Sequence, residues 1–284
     1  MKGLLKKLAI LAFLSFLVGV GGLVFLFVRH QSFPIEQQAF QEQKSIDGKN
    51  IRRLEIKTET ADVQITKSST DQIEVKLYGT MLKQTNNVVK LAVEQKGTDQ
   101  AQIIVYESER FPFMFGYKKL NLEVSLPDKM YQQLRMYSST GGLQADFPLQ
   151  ADQLQLNTGT GDISLRGYTG NQLTISSETG DVDLYQVKGG VSIRTTTGDV
   201  DDLELAELTR DVSIETATGD VSVKLKTVPA SASLELESDT GEVAAELPNL
   251  SFATKEENKI RASLGTGGAI IRMQSATGDL QISK

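Results

Sequence analysis

An internal repeat constrains this chain more than any other feature of its 284 residues. Eight segments share one pattern, in which apolar and polar residues alternate, reach a corner of the type T-G-D, and alternate again. Aligned without gaps, the segments are centred on Thr60, Thr140, Thr160, Thr179, Thr197, Thr218, Thr240 and Thr277. The positions four residues before and three residues after the threonine are aliphatic in all eight. Such alternation on both sides of a turn predicts a half-buried strand, a tight corner and a second strand.

The spacing of the segments predicts how they stack. Between Thr140 and Thr240, successive corner threonines lie 20, 19, 18, 21 and 22 residues apart, which fits one coil of a solenoid. Gly180 lies where the alternation changes phase, and glycine accepts the left-handed backbone that such a corner needs. The sequence therefore predicts an all-β, right-handed parallel β-solenoid with about 20 residues per coil and eight repeat copies. A stack of β-hairpins is the alternative.

Stacking would align the residues around the corner into columns. The residue two before the threonine is Thr or Ser in every copy, from Thr58 to Ser275, and we expect these hydroxyls to point inward and form hydrogen bonds. Behind the corner glycine lies an acidic column that includes Asp162, Asp181, Asp199, Asp220 and Asp279. Like charges one strand apart repel each other. Two interpretations stay open: the carboxylates cap the turns by accepting backbone N–H bonds, or they bind a cation.

The N-terminus predicts a membrane anchor. Residues 8–28 form a run of 21 residues interrupted only by Ser15 and glycines, and about 20 apolar residues span a bilayer core. Lysines at positions 2, 6 and 7 precede the run, whereas Arg29 is the only strong positive charge close behind it. We therefore expect residues 1–30 to be a cytoplasmic tail and one transmembrane helix in the cell membrane, with the rest of the chain outside the cell. A cleaved signal peptide is the alternative.

The remaining segments differ from the repeat. Residues 31–50 are rich in Gln and charge, and we expect a stalk or linker there. Residues 51–284 are expected to form the extracellular β-solenoid domain. Within it, residues 66–133 contain four strand-like runs and predict an insertion or a cap on the end of the solenoid.

An aromatic segment inside that insertion is the most unusual local sequence. Phe111, Phe113, Phe115 and Tyr117 lie within seven consecutive residues, with basic residues on both sides. One hypothesis is an interaction loop that enters the membrane surface or binds a partner. The alternative is that these rings cap the open end of the solenoid core.

Composition excludes several kinds of chemistry. The chain has no Cys and no Trp, and its one histidine is His30. Thiol nucleophiles, zinc sites with Cys ligands and His-based acid–base relays in the outer part therefore lack their residues. Four of the 30 basic residues and none of the 36 acidic residues lie in residues 1–30, so the outer part carries a formal charge of −10. Nucleic acid is excluded as a partner on this ground. We predict no catalytic residue, no cofactor and no metal site other than the cation binding left open for the acidic column.

The repeated TGDV and TGDI corners, the lysine-led anchor and the closing SATGDLQISK resemble the bacterial putative-adhesin domain of unknown function. In particular, the chain is similar to the LiaG-like membrane proteins of Gram-positive bacteria, which are encoded beside a two-component system that responds to cell-envelope stress. The resemblance covers nearly the whole chain and implies a β-solenoid outside the cell, without an established active site.

Three function classes follow from the sequence and the resemblance. The first is a noncatalytic accessory or interaction protein of the cell-envelope stress response, with envelope membrane proteins or cell-wall polymer as partners. The second is an adhesin or scaffold that binds wall or surface material. The third is a carbohydrate-active enzyme, because β-helices carry such sites and paired carboxylates can do acid–base work.

Overall fold

The repeat copies form two layers of strands. The computed structural model describes residues 15, 16, 18–21, 37–82, 88–108 and 119–284, and these residues form 23 strands. The strands before the corners are β2 (Arg53–Thr58), β8 (Tyr131–Ser138), β10 (Leu149–Thr160), β12 (Tyr168–Thr179), β14 (Val187–Thr197), β16 (Val212–Thr218), β18 (Ala232–Thr240) and β22 (Ala269–Thr277). The strands behind them are β3 (Asp62–Lys67), β9 (Leu143–Ala145), β11 (Ile163–Leu165), β13 (Val182–Leu184), β15 (Val200–Glu207), β17 (Val221–Leu225), β19 (Val243–Glu246) and β23 (Leu280–Ser283). The other strands lie at the two ends and are β1 (Gln37–Asp47), β4 (Gln72–Leu82), β5 (Val88–Lys96), β6 (Gln100–Ser108), β7 (Lys119–Leu126), β20 (Ser251–Lys255) and β21 (Lys259–Leu264).

Neighbouring coils pair in parallel and in register. The corner threonines align with one another, for example Thr160 with Thr179 and Thr179 with Thr197. The aliphatic positions before and behind the corner are buried in every copy, so they form the core between the two layers. Parallel pairing confirms the predicted β-solenoid and rules out stacked hairpins.

The corner glycines are required by backbone angle and by close approach of the coils. The φ angle lies between 132° and 151° in six copies, at Gly161, Gly180, Gly198, Gly219, Gly241 and Gly278. A Cβ atom at Gly219 would lie 2.1 Å from the carbonyl oxygen of Gly198 in the preceding coil. At the same corner position, Ala61 in the first copy does not have a positive φ. The backbone angle therefore does not require glycine in the first copy.

The stack does not follow chain order at its C-terminal end. β22 pairs with β16 on one side and with β18 on the other, so the eighth copy lies between the sixth and the seventh. The free edge of β18 pairs antiparallel with β21, and β20 follows. Residues 248–268 thus form a capping hairpin whose Ile260, Ala262 and Leu264 are buried. The cap occupies one edge of β18, and the last strand pair must therefore insert on the other.

A ninth coil without a T-G-D corner lies at the N-terminal end. β6 pairs parallel with β2, aligning Ile103 with Ile56, and β7 pairs parallel with β3, aligning Leu122 with Val63. Residues 109–118 connect these two strands where the other coils have a tight corner. β5 and β4 then add antiparallel to β6 and β7, and β1 is the outermost strand.

The predicted stalk is wrong over Gln37–Asp47, because these residues form β1 and pair along the whole of β4. The strand is hard to recognise because Glu42 and Lys44 take half-buried positions where strands usually carry apolar residues. The Leu91 N–H donates to Glu42 Oε2 at 3.0 Å, and the Lys44 ammonium donates to the Leu91 carbonyl oxygen. These two charged side chains satisfy backbone groups at the outer edge of β5, which protects an otherwise open strand.

Candidate interaction surfaces

The inward hydroxyl column is buried in all eight copies. Its members bind backbone or one another. The Ser238 hydroxyl donates to the Gly278 carbonyl oxygen at 2.8 Å, and Thr195 donates to Thr216 at 2.9 Å. Ser177 is the exception, because its hydroxyl has no partner within the described part of the chain. The column therefore stabilises the corners from inside and is closed to ligands.

The acidic column forms a continuous ladder outside the corners, which we name the aspartate ladder. Its members are Asp162, Asp181, Asp199, Asp220 and Asp279. At each step the N–H of one member donates to the Oδ1 atom of the member in the coil before it, over 2.8–3.0 Å. The ladder steps from Asp220 to Asp279 and ends on the N–H of Glu242. It thus repeats the coil order of the strands.

This geometry is that of turn capping. One oxygen of each ladder carboxylate accepts a charge-assisted hydrogen bond from the next coil, which offsets part of the repulsion between neighbouring charges. Within the described residues, no group of three or more His, Cys, Asp or Glu side chains is arranged to hold a metal ion. Capping therefore accounts for each step of the ladder without a cation.

A second acidic row runs beside the ladder on the same outer face. Burial raises the pKa of Asp183 above its ordinary value, and neighbouring carboxylates, chiefly that of Asp201, raise it further. Burial likewise raises the pKa of Asp201, with Asp199 as the main charged neighbour. Asp202 behaves in the opposite way, because a hydrogen bond from the Lys224 ammonium at 2.8 Å lowers its pKa. This face therefore disfavours anions.

The acidic column is interrupted at one coil. The second copy has Gly142 where its neighbours in the stack have Asp62 and Asp162. The Gly142 N–H still donates to Asp62 Oδ1 at 3.0 Å, but Gly142 has no carboxylate for the Asp162 N–H. A cavity of about 530 Å³ opens at this position, and Tyr78, Gln64, Glu123, Gln144 and Ser164 are among its lining residues. We name it the Gly142 gap.

The predicted interaction loop of Phe111, Phe113, Phe115 and Tyr117 lies outside the described residues. Its flanking strands are nevertheless placed, because β6 ends at Ser108 and β7 begins at Lys119. Two other stretches of chain meet the described part at the same corner. Residues 83–87 connect β4 to β5 there, and β1 begins there with Gln37 paired to Leu82.

Most of the predicted membrane run also lies outside the described residues. Residues 15, 16 and 18–21 are helical, and the side chains of Phe16 and Val18 are exposed. Within the part of the chain that the structure describes, no helix is long and apolar enough to cross a membrane.

Comparison with known proteins places the chain in a family. The Toastrack DUF4097 family matches residues 51–201 and again residues 149–283. The chain belongs to this family. The two matches overlap, as expected for a stack of equivalent coils, and they confirm the resemblance to the putative-adhesin domain of unknown function. No curated protein matches the sequence of this Toastrack chain.

Solved structures of similar proteins align with most of the Toastrack chain. A "putative cell adhesion protein" from Clostridium sporogenes is 15% identical, with 87% of this chain and 99% of that chain covered and a TM-score of 0.38. A "putative adhesin" from Bacteroides fragilis is 11% identical, with 86% and 97% covered and a TM-score of 0.42. A "putative lipid binding protein" from Parabacteroides distasonis is 13% identical, with 85% and 96% covered and a TM-score of 0.40. At TM-scores below 0.5, none of the three assigns a ligand to this chain.

The Gly142 gap includes residues that the repeat alignment does not single out as functional. Tyr78 and Glu123 come from β4 and β7, which have no T-G-D corner and fall outside the eight copies. The available signal is Gly142 itself, since it replaces an acidic residue in an otherwise acidic column. A missing side chain in a column indicates a space in the stack.

Proposed function

We propose that this Toastrack protein is a noncatalytic interaction module of the cell envelope, held in the cell membrane by residues 8–28 with its solenoid outside the cell. In this proposal it is an accessory protein of the envelope stress response. The observation that carries the noncatalytic part is the aspartate ladder. Its carboxylates recur in equivalent surroundings and are committed to backbone N–H groups, whereas acid–base catalysis needs a local pair in unequal surroundings.

The position of β1 indicates which corner of the solenoid would face the membrane if residues 8–28 form the anchor. Residues 29–36 connect the apolar run to β1, and eight residues span at most about 28 Å when fully extended. β1 begins at the corner where β6 ends and β7 begins. A helix spanning the bilayer over residues 8–28 would therefore keep this corner close to the lipid surface.

This placement supports a membrane or partner contact for the aromatic segment. Aromatic rings at the depth of the headgroups and basic side chains near anionic lipids both favour surface binding. Replacing Phe113 and Phe115 by Ser would reduce such contacts without lowering the melting temperature. The control is Phe252→Ser, which alters an exposed ring on the capping hairpin at the opposite end. A lower melting temperature with unchanged contacts would show that the rings cap the core instead.

Crosslinking in intact cells tests the proposed function. A photoreactive residue is placed at position 113 in one strain and at the exposed position of Phe252 in another, and the captured molecules are identified. Recovery of a sensor kinase or another envelope membrane protein from position 113 alone supports an accessory role. Recovery of wall material alone, from either position, would instead favour the adhesin or scaffold class.

A further inference from the structure

At the Gly142 gap, the backbone N–H of Asp162 lacks the carboxylate acceptor that the other steps of the ladder have. In the continuous part of the aspartate ladder, each N–H donates to the carboxylate of the coil before it. The Asp162 N–H has no such acceptor within the described residues, because the preceding coil carries Gly142. The Oδ1 atom of Asp62 accepts from the Gly142 N–H. A ligand oxygen at the position of the missing side chain could therefore accept from Asp162 and donate to the other oxygen of Asp62.

The walls of the gap offer further fixed polar groups. The side-chain amide nitrogens of Gln64 and Gln144 both donate to the carboxylate of Asp146, at 2.6 Å and 2.7 Å. This shared partner fixes both amides and leaves their carbonyl oxygens as acceptors. Tyr78 adds a half-buried aromatic ring, with the Lys76 ammonium 5.0 Å from its centroid. An aromatic surface beside a few fixed polar groups is typical of a small-molecule site.

The charges around the gap select the kind of ligand. Its lining residues include four acidic side chains and no basic one, and the acidic residues are Asp62, Glu123, Asp162 and Asp183. The Lys76 ammonium beside the Tyr78 ring offsets only one of these four charges. An anionic ligand would be repelled. A single cation is also a poor fit for the two corner carboxylates, because these lie two strands apart, about 9.6 Å. Two oxygens bound to one calcium ion lie at most about 5 Å apart. A neutral ligand with several hydroxyl groups meets all of these conditions.

We propose that the Gly142 gap binds a neutral sugar unit of a glycan, with a sugar hydroxyl taking the place of the missing ladder carboxylate and the Tyr78 ring packing against the sugar. The site extends along rows of outward-facing side chains spaced by one strand, which include Asn121 and Ser164. A chain of sugar units can follow these rows. This proposal names the chemical class of ligand for the interaction module described above. It rests on that proposed function, which places the site outside the cell.

Binding to defined sugars tests the site directly. The purified full-length chain is titrated with neutral tetrasaccharides of glucose and of N-acetylglucosamine, and binding is measured by calorimetry and by ligand-observed NMR. Gly142→Asp places a carboxylate in the gap, and the Gly142 backbone accepts a side chain because its φ is not positive and the nearest atom to a new Cβ lies 3.3 Å away. We expect this variant to lose at least tenfold in affinity while its melting temperature is unchanged or higher.

A second pair of variants keeps the test decisive if Gly142→Asp folds poorly. Tyr78→Ala should lose at least tenfold in affinity, whereas Tyr185→Ala, which removes an exposed ring elsewhere on the same outer face, should bind as the parent does. Absence of binding to every neutral sugar would overturn the proposal. So would binding only to polygalacturonate, stabilisation by calcium alone, or equal affinity in the parent and in Tyr78→Ala. A negative sugar titration beside specific crosslinking in cells would refute this site alone and leave the interaction module standing.

Discussion

A corner glycine is required both by a positive φ angle and by the close approach of the neighbouring coil. Substitution with alanine can separate these two requirements. Gly219 combines a φ of 148° with a would-be Cβ contact of 2.1 Å to a backbone oxygen. Gly97 has a positive φ of 74°, but a Cβ atom added there would have nothing within 4 Å, so only the angle requires glycine. Gly141 has no positive φ, but a Cβ atom added there would lie 2.1 Å from the Ala61 carbonyl oxygen. Gly142 has neither a positive φ nor a contact below 3.3 Å. These four positions form a complete set of controls within one chain.

The expected losses follow from the two physical terms. A non-glycine residue at positive φ costs about 1–3 kcal/mol, and forcing a methyl group into a packed site costs about 1–3 kcal/mol. We therefore expect Gly97→Ala and Gly141→Ala each to lower the free energy of unfolding by about 1–3 kcal/mol, and Gly219→Ala by about 2–6 kcal/mol. Gly142→Ala should stay within about 1 kcal/mol of the parent, as most substitutions without a strained angle or clash do.

Urea titration followed by far-ultraviolet circular dichroism measures these differences, provided that the four variants and the parent share one m-value. The control for oligomer effects is the same titration at two protein concentrations. If Gly219→Ala loses no more stability than Gly97→Ala, the close approach of the coils does not contribute, and the stack must relax more easily than the geometry indicates.

Three further predictions concern the columns. Asp199→Asn should change the melting temperature little, because the amide oxygen still accepts from the Asp220 N–H. Asp199→Ala should lower the free energy of unfolding by about 1 kcal/mol, as loss of a cap does. Equal losses in the two variants would contradict capping. Ser238→Ala should lower the free energy of unfolding by about 1–2 kcal/mol, because it leaves the Gly278 carbonyl without its donor. Ser177→Ala should leave the free energy of unfolding unchanged, because that hydroxyl has no partner in the described residues. A larger loss for Ser177→Ala than for Ser238→Ala in urea titrations would refute this reasoning. Because the pKa values of Asp183 and Asp201 are raised in the folded state, proton binding to these carboxyl groups favours folding. The melting temperature should therefore rise as the pH falls from neutral toward the ordinary aspartate pKa of about 4. Below about pH 4 it should fall, because Asp128 and Asp202 have lowered pKa values and lose their ion pairs with Lys67 and Lys224; the double variant Asp183→Asn and Asp201→Asn should remove the rise.

The repeat copies were predictable from sequence because each copy contains both the apolar–polar alternation and the corner residues that define its strands. Alternation fixes which side chains point inward, and the corner glycine fixes where the phase changes. Ile175 and Val182 are buried as the alternation of the fourth copy requires. The same local completeness explains the aspartate ladder, since each carboxylate needs only a backbone N–H from its neighbour.

The capping strands were harder to predict because their burial depends on distant partners. In β1, Glu42 and Lys44 occupy half-buried positions that are satisfied by the backbone of Leu91, 49 and 47 residues away. The ninth coil lacks the T-G-D signal because residues 109–118 replace its corner. Its membership in the stack follows from the alignment of Ile103 with Ile56 and of Leu122 with Val63.

The order of the last two coils shows what the corner motif leaves undetermined. A corner offers a backbone N–H on one side and a carboxylate on the other, so any copy can follow any other copy. Asp279 accordingly follows Asp220 although 59 residues separate them. The order must therefore come from the ends, where the antiparallel pairing of β21 with β18 leaves one edge open for β22. Because equivalent coils are interchangeable as neighbours, a departure such as Gly142 does not disturb the stack, and the position becomes free to acquire a binding role.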